Sequence, residues 1–286
     1  MNIADVLRST SARIAVLILL IVAVLTIAGP ALAPHDPYQG DSGAMLQGPS
    51  AAHLLGTDDL GRDVLSRLLT GSPISVLSAL MAVVVGLFLG VIPGLLSVLL
   101  NRTFEWLTLR WTDALMTLPF LVFTIAMTAL LGNGVMQAMV AVGILLSPAF
   151  YRVTRAAALT ASRSLFVEAA LLQGASTLWI LRRHVLRQVL PAVAVTAAGT
   201  AGTSLVIVAS LTFLGIGVVP PEPTWGGLLA TDLNYLYQRP FGPVAPAALI
   251  VATVWALNAL ADALRDAQSI RPRRAVARQI PQEVQS

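Results

Sequence analysis

Long apolar runs separated by short polar segments dominate the chain. Six of these runs are long enough to cross a bilayer, which takes about 20 apolar residues when the segment is helical. They cover residues 14–33, 74–100, 114–131, 135–151, 192–219 and 244–264. Because lipid offers no partners for backbone N–H and C=O groups, such runs favour helices. The pattern predicts an all-α integral membrane protein with six transmembrane helices.

Proline and glycine interrupt three of the predicted spans. Pro93 and Gly94 lie inside the second span, Pro119 lies inside the third, and two glycines at 215–217 lie near the end of the fifth. Because proline removes a backbone hydrogen bond and clashes with the preceding turn, Pro119 should kink its helix. These breaks are either hinges for a protein that moves or simple kinks tolerated in lipid.

Arginine placement indicates the side of the membrane that each loop faces. If the N-terminus is cytoplasmic, fifteen of the 18 arginines lie on the cytoplasmic side, and only Arg62, Arg67 and Arg239 lie outside. Cytoplasmic loops carry such an excess of basic residues. The pattern predicts cytoplasmic N- and C-termini, and it assigns the positive charge to contact with the lipid bilayer rather than with nucleic acid.

The first span also has some features of a secretory signal, because arginines precede it and Ala-Leu-Ala ends it at 31–33. Its apolar run exceeds the usual 7–15 residues of such a signal. Five further spans follow, so the sequence favours a first helix that is retained.

The spans and loops predict three regions. Residues 1–73 hold the first span and an outside loop with an interfacial helix, capped by Thr57 or Asp58, that leads into the second span. Residues 74–264 hold five spans and a polar segment at 152–190, and residues 265–286 form an arginine-rich cytoplasmic tail.

A second outside loop follows at 217–243. Three closely spaced prolines forbid a helix at its start. Trp225, Tyr235 and Tyr237 suit the membrane interface, and a contact with a docking partner or substrate is the alternative.

Composition narrows the chemistry further. Charged residues make up 11% of the 286 residues, against about 25% in a typical soluble domain. The chain has no cysteine and no lysine, which excludes disulfides, thiolate metal sites, a phosphate-binding loop with its lysine, and a Schiff-base lysine. No nucleophile–base–acid set is evident, so an enzyme is not predicted.

Ionisable residues outside the loops are few. Asp113 and Asp262 lie near the predicted membrane edges, where a local ion pair or a helix-end role is favoured over a proton relay. Asp58, Asp59 and Asp63 lack the spacing of a calcium loop. His35, His53 and His184 are too scattered along the chain to predict a metal cluster.

The segment FVEAALLQGAS, residues 166–176, stands out within the polar stretch between the fourth and fifth spans. Its composition predicts a short helix that ends at Gly174 in a left-handed conformation, followed by a second helix. Glu168, Ala169 and Ala170 place one carboxylate among small side chains, which allows close approach to another protein and a pair with its arginine or lysine.

With these motifs the chain resembles the permease subunits of bacterial ABC importers. It most closely resembles the C-type subunit of the dipeptide/oligopeptide/nickel group. Glu168-Ala169-Ala170 and Gly174 match the EAA signature of these subunits. The likeness extends from the first span to about residue 272. It is carried by LGTDDLGRDVLSRLLTG at 55–71, DALMTLP at 113–119, YRVTRAAAL at 151–159, LTFLGIGVVPPEPTWGGLL at 211–229 and NALADALRDA at 258–267.

The resemblance implies that FVEAALLQGAS contains a coupling helix. On this view Glu168 pairs with a basic residue of a cytoplasmic ATPase, Gly174 permits the turn, and Ala175 and Ser176 lie at the contact. One position departs from the family pattern, because Arg187 stands where a proline usually ends the loop. That departure leaves the direction of the fifth span open.

The resemblance also implies the partners and the cargo. They are a second, B-type permease subunit that completes the translocation path, one or two ATPase subunits that hold ATP and magnesium, and an extracytoplasmic substrate-binding protein. This chain itself is implied to bind no cofactor and no metal. Di- or oligopeptides are the expected cargo, with nickel, haem, a glycoside or another small solute as alternatives.

Two other classes of protein compete with this interpretation. A stand-alone secondary transporter needs internal repeats and intramembrane ion sites. An intramembrane enzyme needs paired catalytic residues at depth. Neither set of features is evident in the sequence.

Overall fold

A computed structural model describes residues 9–277, the side chains of 171, 177 and 269–277 excepted. Over this range the chain is helical, and its only extended pairing is an isolated bridge between Thr57 and Asp63. The α-helices are α1 (Thr10–Leu32), α2 (Val64–Leu99), α3 (Arg102–Thr117), α4 (Phe120–Leu131), α5 (Val135–Ser162), α6 (Leu165–Leu172), α7 (Thr177–Ile180), α8 (Leu186–Phe213), α9 (Trp225–Asn234) and α10 (Val244–Ala277). Part of the predicted tail, 278–286, lies outside the described residues.

Five rods within residues 9–277 are long and apolar enough to cross a membrane. They are α1, α2, α5, α10 and the continuous rod Leu178–Phe213. In that rod a single π-helical turn, Leu181–Val185, joins α7 to α8, and the Leu186 N–H donates to the Leu181 carbonyl across it. Five of the six predicted spans are therefore confirmed as membrane-length helices.

The predicted third span is two helices rather than one kinked helix. The axes of α3 and α4 differ by 100°, so the pair is either one broken span or a re-entrant segment. Pro119 is the N-cap of α4, and Leu118 before it is extended at φ −76° and ψ 130°. Proline disfavours the helical conformation in the preceding residue, and here that preference breaks the helix completely.

The interfacial helix predicted before the second span is not a separate helix, and its predicted start at Thr57 or Asp58 is wrong. α2 begins at Val64, runs unbroken through Leu99, and is capped by Asp63, which accepts a 2.8 Å hydrogen bond from the Ser66 N–H. The Asp58 carboxylate accepts hydrogen bonds from the Leu60 and Arg62 N–H groups at 2.9 Å instead. It therefore stabilises a tight turn and caps no helix.

Trp225 also differs from the prediction of a membrane-interface position. It is fully buried at the start of α9, where its backbone N–H donates to Ser75 Oγ at 2.9 Å and its indole N–H to Ser72 Oγ at 3.2 Å. A buried indole needs such a partner for its N–H group. α9 is therefore packed onto α2 rather than floating at the lipid surface.

α2 and α5 form the central pair of the fold. Glycines recur every four residues along the buried side of α2, at Gly86, Gly90 and Gly94. Small residues at this spacing let two membrane helices approach closely. At Gly90 a Cβ atom would lie 2.4 Å from the Ser147 carbonyl oxygen of α5. Two apolar clusters, around Val142 and around Phe150, continue from this contact towards the two ends of the molecule.

We expect Gly90→Ala to lower the melting temperature of the protein markedly. The added methyl group meets backbone atoms of α5, and overpacking of a tight contact costs about 1–3 kcal/mol. Gly199→Ala is the matched control, because the nearest atom to its new Cβ is Ala261 Cβ at 3.8 Å. Thermal unfolding in detergent measures both, and equal melting temperatures would contradict the close contact.

Candidate functional site

The residues singled out in FVEAALLQGAS lie on α6 and on the turn after it. The Ser164 carbonyl begins α6 by accepting hydrogen bonds from the Val167 and Glu168 N–H groups at 2.9 and 3.2 Å. Gly174 has φ +79°, and the Ala175 N–H closes the turn on the Ala170 carbonyl at 3.0 Å. α7 then begins at Thr177. The predicted helix, left-handed glycine turn and second helix are confirmed.

α6 presents a mixed apolar and acidic surface to its surroundings. Glu168, Ala169 and Ser176 are exposed, whereas Ala170 and Ala175 are half-buried. Glu168 makes no ion pair or side-chain hydrogen bond within the part of the chain that the structure describes. Three large apolar side chains of the same helix, Leu165, Phe166 and Leu172, are 79%, 77% and 90% exposed. A clustered apolar surface of this kind is typical of an interaction site.

The other side of α6 is anchored in the core. Val167 is 4% exposed and belongs to the apolar cluster that contains Ile180, Val185 and Val189. The same cluster includes Ala161 of α5. α6 is therefore packed against both the end of α5 and the start of the rod that becomes α8.

An arginine-rich cleft lies beside this surface. Arg182, Arg183 and Arg187 line it together with Ser176 and Trp179. Arg187, the position at which a proline was expected from the resemblance, lies in the first turn of α8. Because arginine does not interrupt a helix, the rod continues without a break from the π turn into α8.

Several ion pairs lie at the same end of the molecule as α6. Asp113 lies 3.1 Å from Arg152, and Asp262 lies 3.1 Å from Arg265, with all four side chains at least half exposed. These contacts confirm the local ion-pair role expected for both aspartates. A further pair, Glu105 with Arg155, was missed, because fifty residues separate its members and only the packing of α3 on α5 brings them together.

The opposite end of the molecule is closed by two connections, 34–63 and 214–243, which we name the loop layer. They are bound to each other by side-chain contacts. Tyr38 Oη donates to Glu222 at 2.9 Å. Arg67 donates to the Pro37 and Pro221 carbonyls at 2.8 and 3.4 Å. The loop layer is therefore a folded unit that continues the helical core.

Buried ion pairs hold the loop layer together. Asp58 is 2% exposed and contacts Arg62 Nε at 2.8 Å and Arg67 Nε at 3.3 Å. Asp232 contacts Arg239 at 3.1 Å, and both side chains are almost fully buried. Burial raises the pKa of Asp232, and the positive charge of Arg239 offsets part of that effect. The sequence gives no direct signal for these pairs.

Two histidines meet in the loop layer, so the expectation that the histidines are scattered is wrong for His35 and His53. Their ring centroids lie 4.9 Å apart beside Asp63. Burial raises the pKa of the Asp63 carboxyl, but hydrogen bonds from Ser66 and His53 outweigh it and leave the pKa below its usual value. His184 lies at the other end, with its ring 5.3 Å from that of Trp179.

Two known protein families together match most of this chain. Residues 82–274 match the family described as binding-protein-dependent transport system inner membrane component. Residues 5–49 match the N-terminal TM domain of oligopeptide transport permease C.

Three named relatives show similar extents of identity. The probable D,D-dipeptide transport system permease protein DdpC of Escherichia coli (strain K12) is 37% identical over 260 residues, which cover 91% of this chain and 86% of the relative. The di/tripeptide transport system permease protein DppC of Pseudomonas aeruginosa (strain UCBPP-PA14) is 36% identical, with 88% and 85% covered. The glutathione transport system permease protein GsiD of Escherichia coli O1:K1 / APEC is 37% identical, with 91% and 86% covered.

A solved structure shares the fold. A chain of the MetNI methionine ABC transporter superposes with a TM-score of 0.54 at 19% identity. The match covers 68% of this chain and 91% of the other.

We expect Arg239→Met to destabilise the loop layer by about 3–5 kcal/mol, because it leaves the Asp232 carboxylate buried without its counter-charge. The double variant Asp232→Asn, Arg239→Met removes both charges and should recover most of the loss. Melting temperatures of the purified protein measure the three forms. A double variant as unstable as the single one would assign the effect to the lost hydrogen bond from Arg239 to the Leu55 carbonyl.

Proposed function

Because this chain belongs to the family of binding-protein-dependent transport system inner membrane components, we propose that it forms the translocation path of an ATP-driven importer together with a second, B-type permease subunit. Family membership makes it an integral protein of the inner membrane. The proposed complex also contains one or two cytoplasmic ATPase subunits and an extracytoplasmic substrate-binding protein. ATP and magnesium belong to the ATPase subunits in this proposal, and this chain binds neither.

The exposed surface of α6 is the observation that carries the proposal. Glu168 has no ion-pair partner in the described part of the chain. The same helix exposes the side chains of Leu165, Phe166 and Leu172. A short helix with apolar anchors and one carboxylate fits a groove that is lined by apolar residues and carries an arginine or lysine. We assign that groove to the ATPase subunit, with Gly174, Ala175 and Ser176 at the edge of the contact.

The positions of the helix ends support cytoplasmic N- and C-termini. Ala12 near the start of α1 packs with Ala263 and Ala267 of α10. Gln268 of α10 donates to the Pro191 carbonyl at 2.8 Å, near the start of α8. The start of α1 and the C-terminal part of α10 therefore lie at the same end of the helices as α6. If α6 contacts a cytoplasmic ATPase, this end is cytoplasmic and the loop layer faces outwards, in agreement with the arginine distribution.

The anchoring of α6 provides a route for mechanical coupling. Val167 packs in one cluster with Ile180 and Val189, so a displacement of α6 is passed to the rod that runs into α8. We propose that ATP-driven closure of the ATPase subunits moves this assembly and shifts the population between inward- and outward-open states. The 100° break before Pro119 is the proposed flexible point beside this assembly.

The proposed cargo is a short peptide. The three relatives reported above are named for transport of D,D-dipeptides, di/tripeptides and glutathione, and each covers at least 88% of this chain. In this proposal the binding protein selects the peptide, and the permease path accepts what is delivered.

We expect the complete complex in proteoliposomes to take up a labelled di- or tripeptide when ATP and the binding protein are both present. Unlabelled short peptides should compete with this uptake, because they share the binding protein. Nickel ions and haem are measured in parallel by the same filtration assay. ATP-dependent uptake of nickel or haem without peptide uptake would reject the peptide cargo.

We expect Glu168→Lys to reduce ATP-driven uptake at least tenfold, because a lysine in place of the carboxylate opposes a basic partner in the groove. Loss of a buried charge pair at an interface costs about 2–5 kcal/mol, which corresponds to a tenfold effect or more. The measurements are co-purification of the ATPase subunits, stimulated ATP hydrolysis and peptide uptake.

Asp262→Lys is the matched control for charge, because Asp262 is 70% exposed at the same end and its pair with Arg265 lies on the surface. It should retain uptake and ATPase binding. Glu168→Lys with full ATPase binding and full uptake would show that α6 is not the coupling contact.

A further inference from the structure

His35, His53 and Asp63 lie together in the loop layer although eighteen and ten residues separate them along the chain. His53 Nδ1 lies 2.9 Å from Asp63 Oδ1, and His35 Nδ1 lies 3.7 Å from Asp63 Oδ2. One ligand atom from each of the three residues falls within 4.8 Å of the others. We propose that these three side chains bind a divalent transition-metal ion, with Zn²⁺ as the best fit.

Two of the three separations are close to those expected in such a site. Bonds of about 2.0–2.2 Å from zinc to imidazole nitrogen and carboxylate oxygen place neighbouring ligands of a tetrahedron about 3.4 Å apart. The two histidine–carboxylate distances, 2.9 and 3.7 Å, lie on either side of this value. Small rotations of the exposed His35 ring and of the partly buried His53 ring are enough to direct all three ligands at one point.

The donor set determines which metals are suitable. Two imidazoles and one carboxylate favour zinc and its neighbours in the first transition row, whereas calcium and magnesium prefer sites built from oxygen. Three protein ligands leave one position of a tetrahedron for water or for a donor atom from another molecule. The site is therefore of the open kind.

Surrounding hydrogen bonds hold the ligands in place before any metal binds. The Asp63 carboxylate accepts from the Ser66 N–H at 2.8 Å and from Ser66 Oγ at 2.6 Å, and its side chain is 1% exposed. The backbone N–H of His35 donates to the same Ser66 Oγ at 3.0 Å. The backbone N–H of His53 donates to Ser50 Oγ at 3.0 Å. Hydrogen bonds to a ligating carboxylate orient it and raise affinity, and the two backbone bonds fix the main chain that carries the histidines.

The three ligands come from three different parts of the fold. His35 follows the end of α1 by three residues, His53 lies in the loop that precedes α2, and Asp63 is the N-cap of α2. A bound ion would cross-link these segments and fasten α1 to α2 at the loop layer. The inference does not rest on the proposed transport function, because metal binding is measured directly.

The test uses the full-length chain, purified in detergent through an affinity tag without histidine and stripped of metal with a chelator. Co²⁺ is titrated as a visible-absorption probe, and Zn²⁺ content is measured by mass spectrometry after gel filtration. Wild type should hold one zinc ion per chain, and zinc should raise its melting temperature. His35→Gln and His53→Gln should each weaken binding at least tenfold, as is typical when a metal site loses ligand support.

His184→Gln is the matched control, because it removes the one remaining histidine, which lies at the other end of the molecule. It should bind zinc as wild type does. His35→Gln keeps the test decisive if His53→Gln fails to fold, since the His35 side chain is 43% exposed and only 3.7 Å from the carboxylate. Equal zinc content in wild type and in the His35→Gln variant, or none in wild type, would overturn the proposal and leave a hydrogen-bonded cluster only.

Discussion

The glycine-mediated contact between α2 and α5 is the constraint on which the rest of the structure depends. Three glycines of α2, at 86, 90 and 94, let the backbone of α5 lie directly against it, and side chains at these positions would clash with backbone atoms or with Leu146, Phe150 and Thr154. Helix association in lipid lacks the hydrophobic drive that operates in water, so close packing must supply the attraction. α2 begins in the loop layer and α5 ends at α6. One contact therefore fixes the positions of the loop layer and of α6, the helix proposed to meet the ATPase subunit.

The ion pairs differ in burial between the two ends of the molecule. Ionised side chains with fully buried partners, such as Asp58 with Arg67 and Asp232 with Arg239, are found in the loop layer and at the adjoining helix start. The pairs at the other end, such as Asp262 with Arg265, are exposed. A buried pair adds little net stability compared with apolar packing, but it tolerates few alternative arrangements. The loss of one partner of a buried pair would therefore disturb the loop layer, whereas the charges around α6 are exposed to their surroundings.

Local features of the sequence were sufficient for much of this architecture. Runs of apolar residues located five of the membrane-length helices, and Gly174 located the turn after α6, because both depend on the chain's own backbone chemistry. Features that depend on distant contacts were not accessible. Tryptophan is a residue type that suits the membrane interface, yet Trp225 is buried against Ser72 and Ser75 of α2. His35 and His53 look unrelated in sequence because only the path of the chain between α1 and α2 brings them together. Pro119 predicts a kink, whereas in the structure Leu118 before it is extended and the helix axis turns by 100°.

The π turn at Leu181–Val185 has a consequence for the orientation of α6, the proposed coupling helix. A hydrogen bond from Leu186 back to Leu181 accommodates one more residue than an α-helical turn. Each residue of an α-helix advances the helical phase by about 100°. The direction in which α6 projects, relative to α8, therefore depends on a single inserted residue. A one-residue deletion there would convert the π turn into an α-helical turn and rotate α6 about the helix axis relative to α8.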